Sequence, residues 1–178
     1  NRVGLQFWTP GPGGRLDYSK EYAKGEGGAA TEADALFLID FLQQKNIQVL
    51  ATFYNGAQGW DWNVAGHAFK NPDAFVANAL DLVTRLNLDG IDIDFEASGQ
   101  ASASDRNRFK IMMEKLSEAL KSQGKVLTVN TYHSSCWNTP NQSWWADWVG
   151  LVDNIHSMGY QDLYEGSTQT LCETANIL

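Results

Sequence analysis

The chain has 178 residues, within the range of one domain, and 43 % hydrophobic residues supply enough material for a core. A formal net charge of -8 argues against nucleic acid and against anionic membrane as partners. Cys136 and Cys172 are too few for a disulfide scaffold and leave pairing open; there is no CxxC and no apolar run of about 18 residues for a membrane helix, and no stretch of the sequence reads as a signal peptide. Asn1 stands where a new chain would carry Met, as in a processed or excised product.

In chain order, residues 3–8 alternate and read as a strand, followed by a Gly- and Pro-rich loop over 9–30. Thr31-Glu32-Ala33-Asp34 starts a helix, with Leu36, Ile39, Phe41 and Leu42 at helical spacing. Residues 47–54 form the second strand, and a loop with Gly56, Gly59, Trp60 and Trp62 follows. Pro72 sits at the first position of the next helix, which runs through Phe75, Ala79, Leu82, Val83 and Leu86. Residues 88–96 form the third strand and 97–103 a small-residue loop. Ser104 is the expected N-cap of a helix carrying Phe109, Met112, Met113, Leu116 and Leu120, closed by Gly124. Residues 125–133 form the fourth strand, 143–149 a short helix with Trp144, Trp145 and Trp148, and 154–160 the fifth strand. Residues 161–178 read as a loop and the start of another helix.

Strand and helix thus alternate about five times, the signal of a parallel sheet with helical crossovers. In each strand one parity is apolar and the other polar or large and aromatic. The second set holds Gln6 and Trp8; Thr52 and Tyr54; Asp92, Asp94 and Glu96; Thr128, Asn130 and Tyr132; His156, Met158 and Tyr160. A doubly wound sheet, covered on both faces, would be apolar at both parities. One helix-covered face instead indicates a (β/α)8 TIM barrel, with the polar set lining its interior near the C-terminal mouth. About five units are present where a closed barrel has eight, so the chain is either a fragment or a barrel lacking strands at both ends.

The third strand carries the chemistry. Side chains on a strand alternate between faces, so Asp92, Asp94 and Glu96 share one face and Ile91, Ile93 and Phe95 the other. Three stacked carboxylates repel one another and are unfavourable to bury, which points to function rather than stability. An EF-hand reading fails, because Ala97 and Ala103 stand where the loop from Asp92 would need Gly and Glu, which leaves a magnesium site of another kind as the open metal alternative. Asp89 is read as a structural residue that bonds backbone at the strand start. His156 is read as a satisfied core histidine low in the barrel.

Asp89-x-x-Asp92-x-Asp94-x-Glu96 resembles the DxxDxDxE signature of glycoside hydrolase family 18, the chitinases and their relatives, and Met158-Gly159-Tyr160 resembles that family's Met-x-Tyr. The family's motif lies on the fourth barrel strand, so residues 1–178 would supply strands resembling the second to the sixth. There are departures. Gln161 follows Tyr160 where the family often has Asp, and Thr52-Phe53-Tyr54-Asn55-Gly56 does not fit the family's Ser-x-Gly-Gly.

The resemblance implies a retaining, substrate-assisted hydrolysis of β-1,4-linked N-acetylglucosamine, needing no cofactor or metal. Glu96 would be the general acid, Asp94 would orient the acetamido group, Asp92 would share a proton with Asp94, and Tyr160 would donate to the acetamido oxygen. Trp8, Tyr54, Trp60, Tyr132 and Met158 are the candidate substrate contacts, with chitin or its oligosaccharides as partner and a secreted or extracellular setting. An endo-β-N-acetylglucosaminidase on N-glycans and a non-catalytic chitin-binding protein of the same fold are the alternative readings.

Overall fold

The computed structural model describes residues 1–19, 31–56, 61–96, 101–131 and 147–157. Their elements, in chain order, are β1 (Arg2–Gly11), β2 (Arg15–Tyr18), α1 (Glu32–Gln43), β3 (Gln48–Tyr54), α2 (Trp62–Phe69), α3 (Pro72–Arg85), β4 (Gly90–Asp94), α4 (Ala103–Ser122), β5 (Val126–Thr131) and β6 (Asn154–Ser157). The six strands form one sheet in the order β2-β1-β3-β4-β5-β6. β1, β3, β4, β5 and β6 are successive parallel neighbours, and β2 folds back antiparallel onto the end of β1.

Strands that add always in one direction, through right-handed crossovers, put their helices on one face. A doubly wound sheet would reverse its order at a switch point. The sheet is therefore an arc of barrel wall, not closed, as the parity of the sequence requires. Its curvature is strong. Four strand spacings separate β1 from β6, roughly 19 Å along a flat sheet. Yet Arg2 Nη1 donates to Asn154 Oδ1 at 2.8 Å, which only a curled sheet permits.

The local sequence explains most boundaries. Thr31 caps α1 with a full capping box, accepting from Asp34 N while Asp34 Oδ2 accepts from Thr31 N. Asn46, Asn87 and Gly124 take positive φ just after α1, α3 and α4, the conformation that ends helices. Several expectations need correction. The anticipated 9–30 loop contains β2, because the Pro12–Gly14 turn reverses the chain into a hairpin. The anticipated loop around Trp62 contains α2, capped by Asp61, whose side chain accepts from Asn63 N at 2.6 Å. α4 starts after Ser102 rather than Ser104, because Ser102 Oγ accepts from Asp105 N at 3.0 Å. On α1, Ala35 and Ile39 face the core while Leu36 and Phe41 stay exposed.

Behind β4 the core is a run of aromatic rings. Phe53 meets Phe75 edge-on at 5.5 Å, Phe75 meets Phe95 at 6.2 Å, Phe95 meets Phe109 at 5.7 Å, and Phe109 meets Trp148 at 4.8 Å. Trp148, one of the three tryptophans at helical spacing, is thus core; Trp144 and Trp145 lie outside the described residues. Two acids anchor strand starts. Asp89 Oδ2 accepts from Val49 N, and Asp153 Oδ2 accepts from Leu127 N, each at 2.8 Å. Asp89 is therefore structural, as its position ahead of the strand suggests. Gly90 is required by close approach: a Cβ there would strike the backbone carbonyl of Val126 on β5.

Candidate active site

β4 carries the acid line. Ile91 and Ile93 are fully buried in the core on the helix side. Asp92 and Asp94 point the other way, into a cavity of about 450 Å³ on the concave side of the sheet. Both acids are nonetheless buried, at 5 % and 6 % exposure. The neighbours in register are Thr52 and Thr128 beside Asp92, and Tyr54 beside Asp94.

Asp92 is held by neutral donors. Thr52 Oγ1 donates to Oδ2 at 3.1 Å, Asn130 Nδ2 donates to the same oxygen at 2.8 Å, and Thr128 Oγ1 donates to Oδ1. His156 Nδ1 stands 3.8 Å from Asp92 Oδ1 and 3.1 Å from Asn130 Oδ1. His156 is therefore a half-exposed lining residue, not the satisfied core histidine expected. Gly4 makes room for this arrangement, since a Cβ there would collide with Thr52 Oγ1.

Asp94 is served differently. Gln6 Nε2 donates to Oδ2 at 2.8 Å, and Oδ1 is buried with no hydrogen-bond partner among the described residues. Burial pushes the Asp94 carboxyl up from 3.8 to about 7, helped by the charges of Glu96 and then Asp92, with Asn130 pulling the other way. Near neutral pH this acid can therefore hold or release a proton.

β4 ends at Asp94, so Glu96 lies two residues beyond the strand expected to contain it. Its backbone is fixed from two sides. Asn55, fully buried, donates from Nδ2 to Glu96 O at 2.6 Å and accepts from Glu96 N at 2.9 Å. The same amide donates to Asp61 O at 3.0 Å, tying the start of α2 to the acid. On the opposite side Phe95 is wedged between Phe75 and Phe109. Glu96 is half-buried and close enough for its charge to act on Asp94.

The structure thus brings Asp92, Asp94 and Glu96 together. Trp8 is corrected: between Leu5 and Trp8 two residues of β1, Gln6 and Phe7, stand against one of β3, Thr52, so Trp8 stands level with Phe53 rather than at the mouth. It is 1 % exposed, packed 5.7 Å from both Phe7 and Tyr18, and offers no ring face to a sugar. Tyr54 keeps its place beside Asp94 but is fully buried, so it too lacks a free ring face. Trp60, Tyr132, Met158 and Tyr160 lie outside the described residues, as do Cys136 and Cys172.

Sequence reasoning missed Gln6, Thr52, Asn55, Thr128 and Asn130 as site residues. Four of them stood in the polar parity set; Asn55 had no local signal, since its partner is 41 positions away. Among the described residues, no group of three or more His, Cys, Asp or Glu is arranged to hold a metal ion. No described helix is long and apolar enough to cross a membrane.

Comparison with known proteins agrees with this geometry. YdhD of Bacillus subtilis (strain 168), which carries the name of a sporulation-specific glycosylase, is 32 % identical over 107 residues, 58 % of this chain and 25 % of that protein. The fold matches a chitinase from Chromobacterium violaceum ATCC 12472 with a TM-score of 0.70 at 22 % identity, over 89 % of this chain and 48 % of that one. It matches a class V chitinase from Pseudomonas fluorescens Pf-5 with a TM-score of 0.71 at 17 % identity, over 90 % and 47 %. The chain therefore spans about half the length of these structures. The family model for glycosyl hydrolases family 18 matches residues 40–170, most of the chain and all of its acid strand, and the chain belongs to that family.

Proposed function

We propose that the concave face cleaves β-1,4-linked N-acetylglucosamine polymers, chitin foremost, by a retaining, substrate-assisted mechanism, outside the cell where such polymers lie. The observation that supports this best is the unequal acid pair. Asp92 accepts from three donors, whereas Asp94 is buried beside it with one oxygen unpartnered among the described residues. In this reading the two acids share one proton.

In this reading Glu96 gives its proton to the glycosidic oxygen as the C1–O bond breaks. The substrate's own acetamido oxygen attacks the anomeric carbon and forms an oxazolinium ion. The shared proton moves towards Asp92, and Asp94, as carboxylate, accepts the acetamido N–H and balances the positive charge. Glu96 then takes a proton from water, whose oxygen opens the ring and restores the original configuration. Tyr160, by its place in the sequence, would donate to the acetamido oxygen, and Trp60, Tyr132 and Met158 would contact the sugar. Two carboxylates at one site do not require a second nucleophile here, because the substrate supplies it.

The test is hydrolysis of N-acetylglucosamine oligomers by the protein and by its Glu96→Gln variant. Cleavage that is lost in the variant while oligomer binding persists supports the reading. Preferential release of N-glycans from glycoprotein would move the substrate to the endo-β-N-acetylglucosaminidase class. Unchanged turnover in the variant would refute the role of Glu96.

A further inference from the structure

We propose that Gln6 is a positioning residue: its side-chain amide fixes Asp94 Oδ2 as a hydrogen-bond acceptor and so favours Oδ1 as the site of Asp94's proton. The inference rests on the role given to Asp94 above and extends it to a residue on another strand.

Three observations carry it. First, the contact is long-range and specific. Gln6 lies on β1 and Asp94 on β4, with β3 between them, so the 2.8 Å bond spans two strand spacings. Second, β1 is built for it. Leu5 stands opposite Ala51 and Trp8 opposite Phe53, so the extra residue of the irregularity falls at Gln6-Phe7. A bulge re-aims side chains where a regular strand could not. Third, the donor is neutral. Arg2 lines the same cavity, but its guanidinium is taken up by Gln48 and Asn154. A cation bonded to Asp94 would hold it ionised; an amide N–H orients the carboxyl and leaves it able to take a proton.

The consequence is chemical. An oxygen that accepts an N–H is the less favoured site for the proton, because the hydroxyl oxygen of a carboxylic acid is a weaker acceptor than its carbonyl oxygen. The proton therefore favours Oδ1, the buried oxygen with no partner among the described residues. Oδ1 is then the oxygen left to carry the proton that the reading above shares with Asp92.

The experiment follows Asp94 by carboxyl carbon-13 NMR titration in the protein, in Gln6→Leu and in Gln6→Glu, with pH profiles of kcat and KM on N-acetylglucosamine oligomers alongside. Donation to a carboxylate favours its ionised form, so Gln6→Leu raises the Asp94 midpoint by about one pH unit. The acid limb of kcat moves up by the same amount, while KM stays within about twofold. Gln6→Glu keeps the length of the side chain, loses the donor once ionised, and raises the midpoint further; it serves if Gln6→Leu does not fold. A midpoint that does not move, or that falls, overturns the proposal, because a fall would mean the amide accepts rather than donates. If the protein itself cleaves no oligomer, the functional reading fails and the titration alone decides the part played by Gln6.

Discussion

Replacing Asp94 by Asn removes a titrating group and leaves its shape. The amide oxygen can accept from Gln6 Nε2 as Oδ2 does, and the NH2 occupies the place of the protonated Oδ1. The size of the effect follows from the shift of Asp94 from 3.8 to about 7. An acid whose folded value is raised is not penalised below about pH 4, where both states hold the proton. Between about pH 4 and 7 the unfolded chain ionises first, so stability falls as pH rises, and above 7 the loss is complete. Roughly three pH units at 1.36 kcal/mol each give ~4 kcal/mol. Asn escapes this loss. Urea denaturation of the protein and of Asp94→Asn at pH 4 and pH 8 measures it. The stability of the variant relative to the parent should improve by ~4 kcal/mol from the lower to the higher pH. Any fixed effect of the amide cancels in that difference. A relative stability that does not change with pH would refute the burial argument for Asp94.

Gly90→Ala should destabilise the fold by about 3 kcal/mol or more, because the clash is with the Val126 carbonyl, which cannot swing aside; a loss under about 1 kcal/mol in denaturant titration would contradict the close approach. Asn55→Ala removes both bonds to the Glu96 backbone. On N-acetylglucosamine oligomers kcat should fall about 100-fold with KM changed little, since a misplaced acid impairs the chemical step more than binding; a variant with unchanged kcat would remove Asn55 from the account.

The fold was legible where pattern and packing agree. Ile91 and Ile93 alternate with Asp92 and Asp94, and the structure places the first pair in the core and the second on the concave face. The strand order also followed, because five alternations with one polar parity allow few topologies. What failed was local irregularity. Trp8 has the right parity for the interior, but one extra residue in β1 turns it into the core, and nothing in the sequence marks that bulge. Strand β2 is four residues long, too short to show a period. Leu36 and Phe41 have helical spacing, yet burial depends on which neighbour a helix meets, and Ala35 and Ile39 meet it. Asn55 and Gln6 act through partners 41 and 88 positions away, which no reading of adjacent residues can supply.

The central claim is that the substrate's own acetamido group is the nucleophile beside Asp94 and Glu96. Proton NMR of the freshly released anomer, followed for oligomers of N-acetylglucosamine and of unacetylated glucosamine under the same conditions, tests it directly. The account predicts that the β-anomer forms first from the acetylated oligomer and that the unacetylated one stays intact. A first product in the α configuration, or equal cleavage of both oligomers, would contradict it.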